Sequence, residues 1–123
     1  KVKSNMDSGM FFGIQKGAIA ALKMKPEWFE KLNEIYNKRK ELILILINEI
    51  GAKIESKSVG LFLWAKIPKG NTSAEEFIDK ILYEKNIFIT PGTVFGLKGE
   101  GYIRFSLCVP EAIIIEAINR FKS

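Results

Sequence analysis

Pro91-Gly92-Thr93-Val94-Phe95-Gly96 runs on to Gly99-Glu100-Gly101-Tyr102-Ile103-Arg104-Phe105-Ser106, and the reading of this stretch decides the fold. Its first part is a loop with glycines at 92, 96, 99 and 101. Its second part alternates. Ile103, Phe105 and Leu107 point one way and Tyr102, Arg104 and Ser106 the other, which predicts a strand with one apolar and one polar face. The loop thus delivers one arginine onto the polar face. A guanidinium carries a fixed charge and a planar fork of donors, the physical profile of a carboxylate or phosphate clamp. Most arginines on strands simply face solvent, so the residue alone is a hint.

Two phosphate-binding readings of the loop fail. A P-loop needs Gly-Lys-Ser/Thr opening a helix, whereas Gly99 leads to Glu100 and then a strand. A dinucleotide fingerprint would place its third glycine where Arg104 stands. The glycines instead let the chain turn sharply and pass close to another surface.

Outward from the loop, the patterns alternate between helix and strand. Asp7-Ser8 offers an N-cap for a helix carrying Phe11, Ile14, Ala18, Ala21 and Leu22, with Gly13 and Gly17 on one face. Pro26 opens a longer helix whose apolar stripe is Trp28, Leu32, Ile35, Tyr36, Ile43, Leu46, Ile47 and Ile50, closed by Gly51. From Leu42 to Ile47 this helix is apolar all round and asks for cover on more than one side. Ala52–Glu55 reads as a short edge strand and Leu61–Ile67 as a stronger one, ended by Pro68. Ser73 followed by Glu76 is a capping-box pattern for a helix with Phe77, Ile78, Ile81 and Leu82 inward, broken at Asn86. Ile87–Thr90 reads as a third strand, and Pro110 starts a last helix burying Ile114, Ala117, Ile118 and Phe121. This order predicts an α+β fold, a small mixed β-sheet packed against helices.

The 123 residues fit one domain. The net charge of +5 comes mainly from lysines spread from Lys1 to Lys122, with no basic cluster beside an aromatic platform, which argues against nucleic-acid binding. There is no histidine, which removes Ser/His and Cys/His nucleophile pairs and histidine-based metal sites. Cys108, the single cysteine, cannot form an intrachain disulfide and reads as a small buried hydrophobe; a cytoplasmic location fits this usage. The longest apolar run, Leu42–Ile47, falls far short of the ~20 residues of a membrane span. Glu75 and Glu76 suit a helix start, and Glu100 reads as a solvated turn residue. No catalytic constellation and no metal site is complete within these residues.

Several segments together resemble one family. Lys3-Ser4-Asn5-Met6-Asp7-Ser8-Gly9-Met10-Phe11 with Gln15 and Ala18–Leu22, then Gly60–Pro68, then Pro91–Gly96 through Gly101–Ser106, are similar to the C-terminal part of class I/II pyridoxal-phosphate aminotransferases of fold type I. The likeness covers essentially the whole chain, in the right order, and is strongest to the branch of bacterial aspartate- and LL-diaminopimelate-type enzymes. It implies that residues 1–123 are the small C-terminal domain of a longer polypeptide, an expectation in keeping with a start at Lys1 without methionine.

In that family the arginine of the closing motif grips the substrate's α-carboxylate, and Arg104 matches it. Asn5 matches a position that in some members reaches toward the neighbouring subunit's site. The resemblance further implies pyridoxal 5'-phosphate as cofactor, an amino acid and a 2-oxo acid as substrates, a large domain of the same chain as partner, and a homodimeric parent serving amino acid biosynthesis. One departure matters. The family's Schiff-base lysine precedes an arginine and glycines in the large domain, whereas Ser56-Lys57 here runs into Ser58-Val59-Gly60. The chain alone is therefore expected neither to hold the cofactor nor to transaminate. Without the resemblance, the same residues also fit a stand-alone α+β module that binds a small acid or regulates, using the loop and Arg104.

Overall fold

A computed structural model describes residues 9–54, 59–70 and 73–122. The chain divides into two compact units, residues 1–33 and 34–123.

The first unit holds helix α1 (Phe12–Leu22) and the start of helix α2 (Pro26–Ile50). The N-cap of α1 is Phe11, whose side chain makes no capping bond, and Gly9 just before it has φ of 120°. Asp7-Ser8, expected to cap this helix, lies outside the described residues. None of the residues of α1 is buried. Pro26 occupies the first position of α2, where its missing N–H costs nothing, and Glu27 adds negative charge to the first turn.

The second unit contains the core. Ile43, Leu46, Ile47 and Ile50 of α2 are buried at helical spacing. Leu44 and Ile45 remain 40% and 45% exposed, so the all-round apolar stretch is covered on one side among the described residues. Gly51, at φ 78°, ends the helix: its N–H donates to the Asn48 carbonyl and that of Ala52 to the Ile47 carbonyl, both at 3.0 Å. This paired closure needs a left-handed residue, which glycine supplies without a Cβ penalty.

Strand β1 (Phe62–Lys66), helix α3 (Ala74–Lys85), strand β2 (Thr90–Pro91), strand β3 (Tyr102–Ser106) and helix α4 (Glu111–Lys122) follow. The sheet order is β1-β3-β2. The α+β class expected from the sequence is present, but among the described residues both strand pairings are antiparallel, so the sheet they form is not mixed. The reason is topological. β1, α3 and β2 form a crossover whose two strands run parallel, and β3 is inserted between them, so each touches only an opposed neighbour. Of the expected edge strand Ala52–Glu55, Glu55 lies outside the described residues, and the described part makes one bridge: the Lys53 N–H donates to the Lys66 carbonyl at 2.9 Å, and the Lys53 carbonyl accepts from the Lys66 N–H at 2.7 Å.

The third strand is also shorter than its pattern. Ile89 is buried and Phe88 is 71% exposed, so Ile87–Ile89 keeps an in-and-out alternation, yet ladder pairing begins only at Thr90. Pro91 has no N–H to give a further neighbour, which suits an edge. Ser73 caps α3 as expected, its Oγ accepting from the Glu76 N–H at 3.1 Å. Asn86 ends α3 in the left-handed conformation, φ 54°.

The C-terminal half of α2, with α3 and α4, covers one face of the sheet. Leu63, Ala65, Ile103, Phe105 and Leu107 meet Ile43, Leu46, Ile78, Ile81, Ile114 and Ile118 in one cluster. Ile103 is completely buried, a side chain whose removal from water stabilises by about 1.5–3 kcal/mol. The other face carries Phe62, Trp64, Tyr102, Arg104 and Ser106, none of them buried. Among the described residues, no helix is long and apolar enough to cross a membrane.

Candidate functional site

The open face of the sheet is organised around Arg104. Midway along β3, it sits opposite Trp64 of β1 on one side and Thr90 of β2 on the other. Its guanidinium carbon lies over two aromatic rings, 4.3 Å from the centroid of Phe62 and 4.1 Å from that of Phe95. Trp64 meets Phe95 edge-to-face, with centroids 5.3 Å apart at 72°. Ring faces attract a cation through their quadrupole, and they leave its N–H edges chemically unused.

The other two arginines are spent differently. Arg120 donates to the Asn86 carbonyl at 2.9 Å and pairs with Glu116, fastening α4 to the end of α3. Arg39 donates to the Leu107 carbonyl at 3.1 Å, and its buried Nε has no partner among the described residues. Arg104 has neither a hydrogen bond nor an ion pair among the described residues. Its donor fork is available to a ligand.

The Pro91–Gly101 loop supplies Phe95, and its packing explains two of the glycines. A Cβ on Gly92 would stand 2.1 Å from the Gly99 carbonyl oxygen, and one on Gly99 would stand 2.0 Å from that of Gly92. The close surface that these glycines permit is the loop itself. Its conformation is two short 3-10 turns, Gly92–Phe95 and Leu97–Gly99, separated by Gly96 at φ 116°.

Helix α3 holds the loop at two points. Glu100 Oε1 accepts from the Ala74 N–H and from the Gly101 N–H, each at 2.9 Å. It therefore satisfies a free donor at the start of α3, where the helix dipole also favours a carboxylate. The Thr93 hydroxyl donates to Glu75 Oε1. That bond, helped by the Glu75 backbone N–H, holds the Glu75 carboxyl below the usual carboxylate range. Glu100 is thus a tether, not only the solvated turn residue that the sequence suggested. No local signal could have shown it, because its partner lies 26 residues away.

Of the other residues singled out in the sequence, Asn5 lies outside the described residues. Cys108 is exposed, contrary to the expectation of a buried hydrophobe. The strand ends at Ser106 and the chain turns, so Leu107 takes the last inward place and the Cys108 N–H donates to Ser106 Oγ at 3.2 Å. A cavity of about 340 Å³ opens between Asn86–Thr90 and α4. Arg104 contributes to its wall, but Phe62, Trp64 and Phe95 do not, and the rest of the lining is largely aliphatic.

Residues 5–121 match the model of the family described as aminotransferase class I and II. LL-diaminopimelate aminotransferase of Aquifex aeolicus is 42% identical over the whole of this chain, which corresponds to 32% of that protein. The apo structure of BacF from Bacillus subtilis superposes with a TM-score of 0.74 at 32% identity, over 93% of this chain and 29% of that one. A probable N-succinyldiaminopimelate aminotransferase from Thermus thermophilus gives 0.82 at 25% identity, over 98% and 32%. The chain spans about a third of the length of the curated relatives it matches. With its alternating strand, its glycine-rich loop and its family match running nearly end to end, the chain belongs to the class I and II aminotransferases.

Proposed function

We propose that residues 1–123 are the small C-terminal domain of a pyridoxal-phosphate aminotransferase, and that Arg104 receives the substrate's α-carboxylate. The observation that carries this reading is a guanidinium held over two rings on an open sheet face, with its fork unpaired among the described residues. A carboxylate entering there makes two parallel charge-assisted hydrogen bonds. Those bonds fix the plane of the carboxylate and so the direction of the neighbouring Cα–H bond, which is worth rate as well as affinity. The sheet face with Phe62, Trp64 and Phe95 then acts as one wall of a closing lid that excludes water.

Pyridoxal 5'-phosphate, when bound, supplies the electron sink for amino-group transfer between an amino acid and a 2-oxo acid. The described residues do not form its cradle: none of their lysines is buried beside a cavity that could enclose it, and no polar or charged residue among them is buried. On this reading, the cofactor's amine partner and phosphate donors belong to the large domain of the parent polypeptide. That parent is a cytoplasmic homodimer in amino acid biosynthesis, with Asn5 reaching toward the neighbouring subunit's site. The relatives' names make LL-diaminopimelate the first amino donor to test.

The test is Arg104→Lys in the full-length polypeptide. A lysine keeps the charge and loses the planar fork, so kcat/KM falls about 10- to 100-fold, with KM raised and kcat lowered together. An unchanged kcat/KM would sink the assignment.

A further inference from the structure

We infer that Phe62 and Phe95 are positioning residues, which hold the Arg104 guanidinium so that its N–H edges meet a carboxylate in one orientation. The inference rests on the proposed role of Arg104 and adds what makes that role specific. A free arginine side chain has several rotatable bonds and loses considerable freedom on binding. Here the guanidinium carbon is already placed, 4.3 Å from the Phe62 centroid and 4.1 Å from the Phe95 centroid. Phe62 is fixed by the sheet, its backbone in register with Ser106. Phe95 comes from the loop, is half-exposed, and is steadied by the edge of Trp64 at 5.3 Å. An exposed aromatic ring in a glycine-rich loop has little folding value, so its service to the cation is the better account of its place. The loop ties of Glu100 and Thr93 to α3 set where that ring stands.

The experiment compares Phe62→Leu, Phe95→Leu, Phe95→Tyr and Arg104→Lys in the full-length enzyme. Two amino donors are used: the amino acid it turns over and the amine that remains when the α-carboxylate is removed from it. Each leucine variant should raise KM for the amino acid about 3- to 10-fold, the range of one cation–π contact, and affect turnover of the amine much less. Phe95→Tyr keeps the ring face and should restore the amino acid KM. Adding Phe95→Leu to Arg104→Lys should cost much less than Phe95→Leu alone. A free readout of position is the Arg104 side-chain N–H resonance of the 15N-labelled chain, which ring currents move upfield and Phe95→Leu should move back. If Arg104→Lys impairs the amino acid but neither leucine variant does, the rings are not positioning residues and the role of Arg104 stands. If the leucine variants slow the amine equally, their role is structural and the inference fails. If Arg104→Lys itself changes nothing, the proposed function has failed and this inference with it.

Discussion

The two faces of β3 differ in how completely their groups are satisfied. On the helix side, Ile103 and Phe105 sit in one contiguous core with α2, α3 and α4. On the other side, Arg104 meets two rings and nothing that accepts a hydrogen bond from it among the described residues. On the proposed reading, the same five-residue strand serves stability on one face and recognition on the other. Alternation is what permits this, because neighbouring side chains answer to different environments. A site built on a strand inherits the rigidity of the core behind it, with no flexible linkage between the two.

The sharpest break of this division is Ile103→Ala. It removes a fully buried side chain from the middle of the sheet, so unfolding stability should drop by about 2–5 kcal/mol, read from urea denaturation. Arg104→Lys, on the opposite face, should leave the same curve nearly unmoved. Comparable losses from both variants would mean that the faces do not divide the labour.

Gly92→Ala tests the boundary between the faces. The added Cβ would meet the Gly99 oxygen at 2.1 Å and the Tyr102 oxygen at 2.8 Å, both backbone atoms that cannot step aside alone. Forcing such a contact costs about 1–3 kcal/mol, and because Tyr102 begins β3, the displacement reaches the strand that carries Arg104. Stability and amino acid KM should therefore worsen together, which neither Ile103→Ala nor Arg104→Lys is expected to do. Wild-type stability for Gly92→Ala would refute the tight loop packing.

Much of this division could be read in the sequence, and for a clear reason. The alternation of Tyr102–Leu107, the helical spacing of Ile43, Leu46, Ile47 and Ile50, the Ser73 cap and the turn at Gly51 all depend on neighbours within a few residues. Arg104 stood out for the same reason, as a fork on the polar face of an alternating strand. Everything that depends on distant pairing was hidden. The insertion of β3 between β1 and β2 turned an expected mixed sheet into an antiparallel one. The Glu100–Ala74 bond and the meeting of Phe62, Phe95 and Arg104 exist only once the loop folds back on α3. Periodicity reports which face a residue takes, and is silent about which remote residue it will meet there.

The smallest expected effect concerns the tie between Thr93 and Glu75, which fixes the loop on the recognition side without touching the core. The Thr93 hydroxyl donates to the ionised carboxylate and so depresses its pKa in the folded state relative to the unfolded one. A depressed carboxylate pKa means that the unfolded chain binds the proton more readily. The stabilisation is then fully present above the unfolded value and is lost as the pH falls through the folded one. Thr93→Val keeps the shape and removes the donor. It should lower the urea midpoint slightly at neutral pH, and the gap from wild type should close on acidification below the ordinary carboxylate range. Comparing the two proteins at each pH cancels the titration of every other group. A gap that persists unchanged in acid would mean that Thr93 acts through packing, and that the loop is held by Glu100 and the paired glycines without help from Glu75.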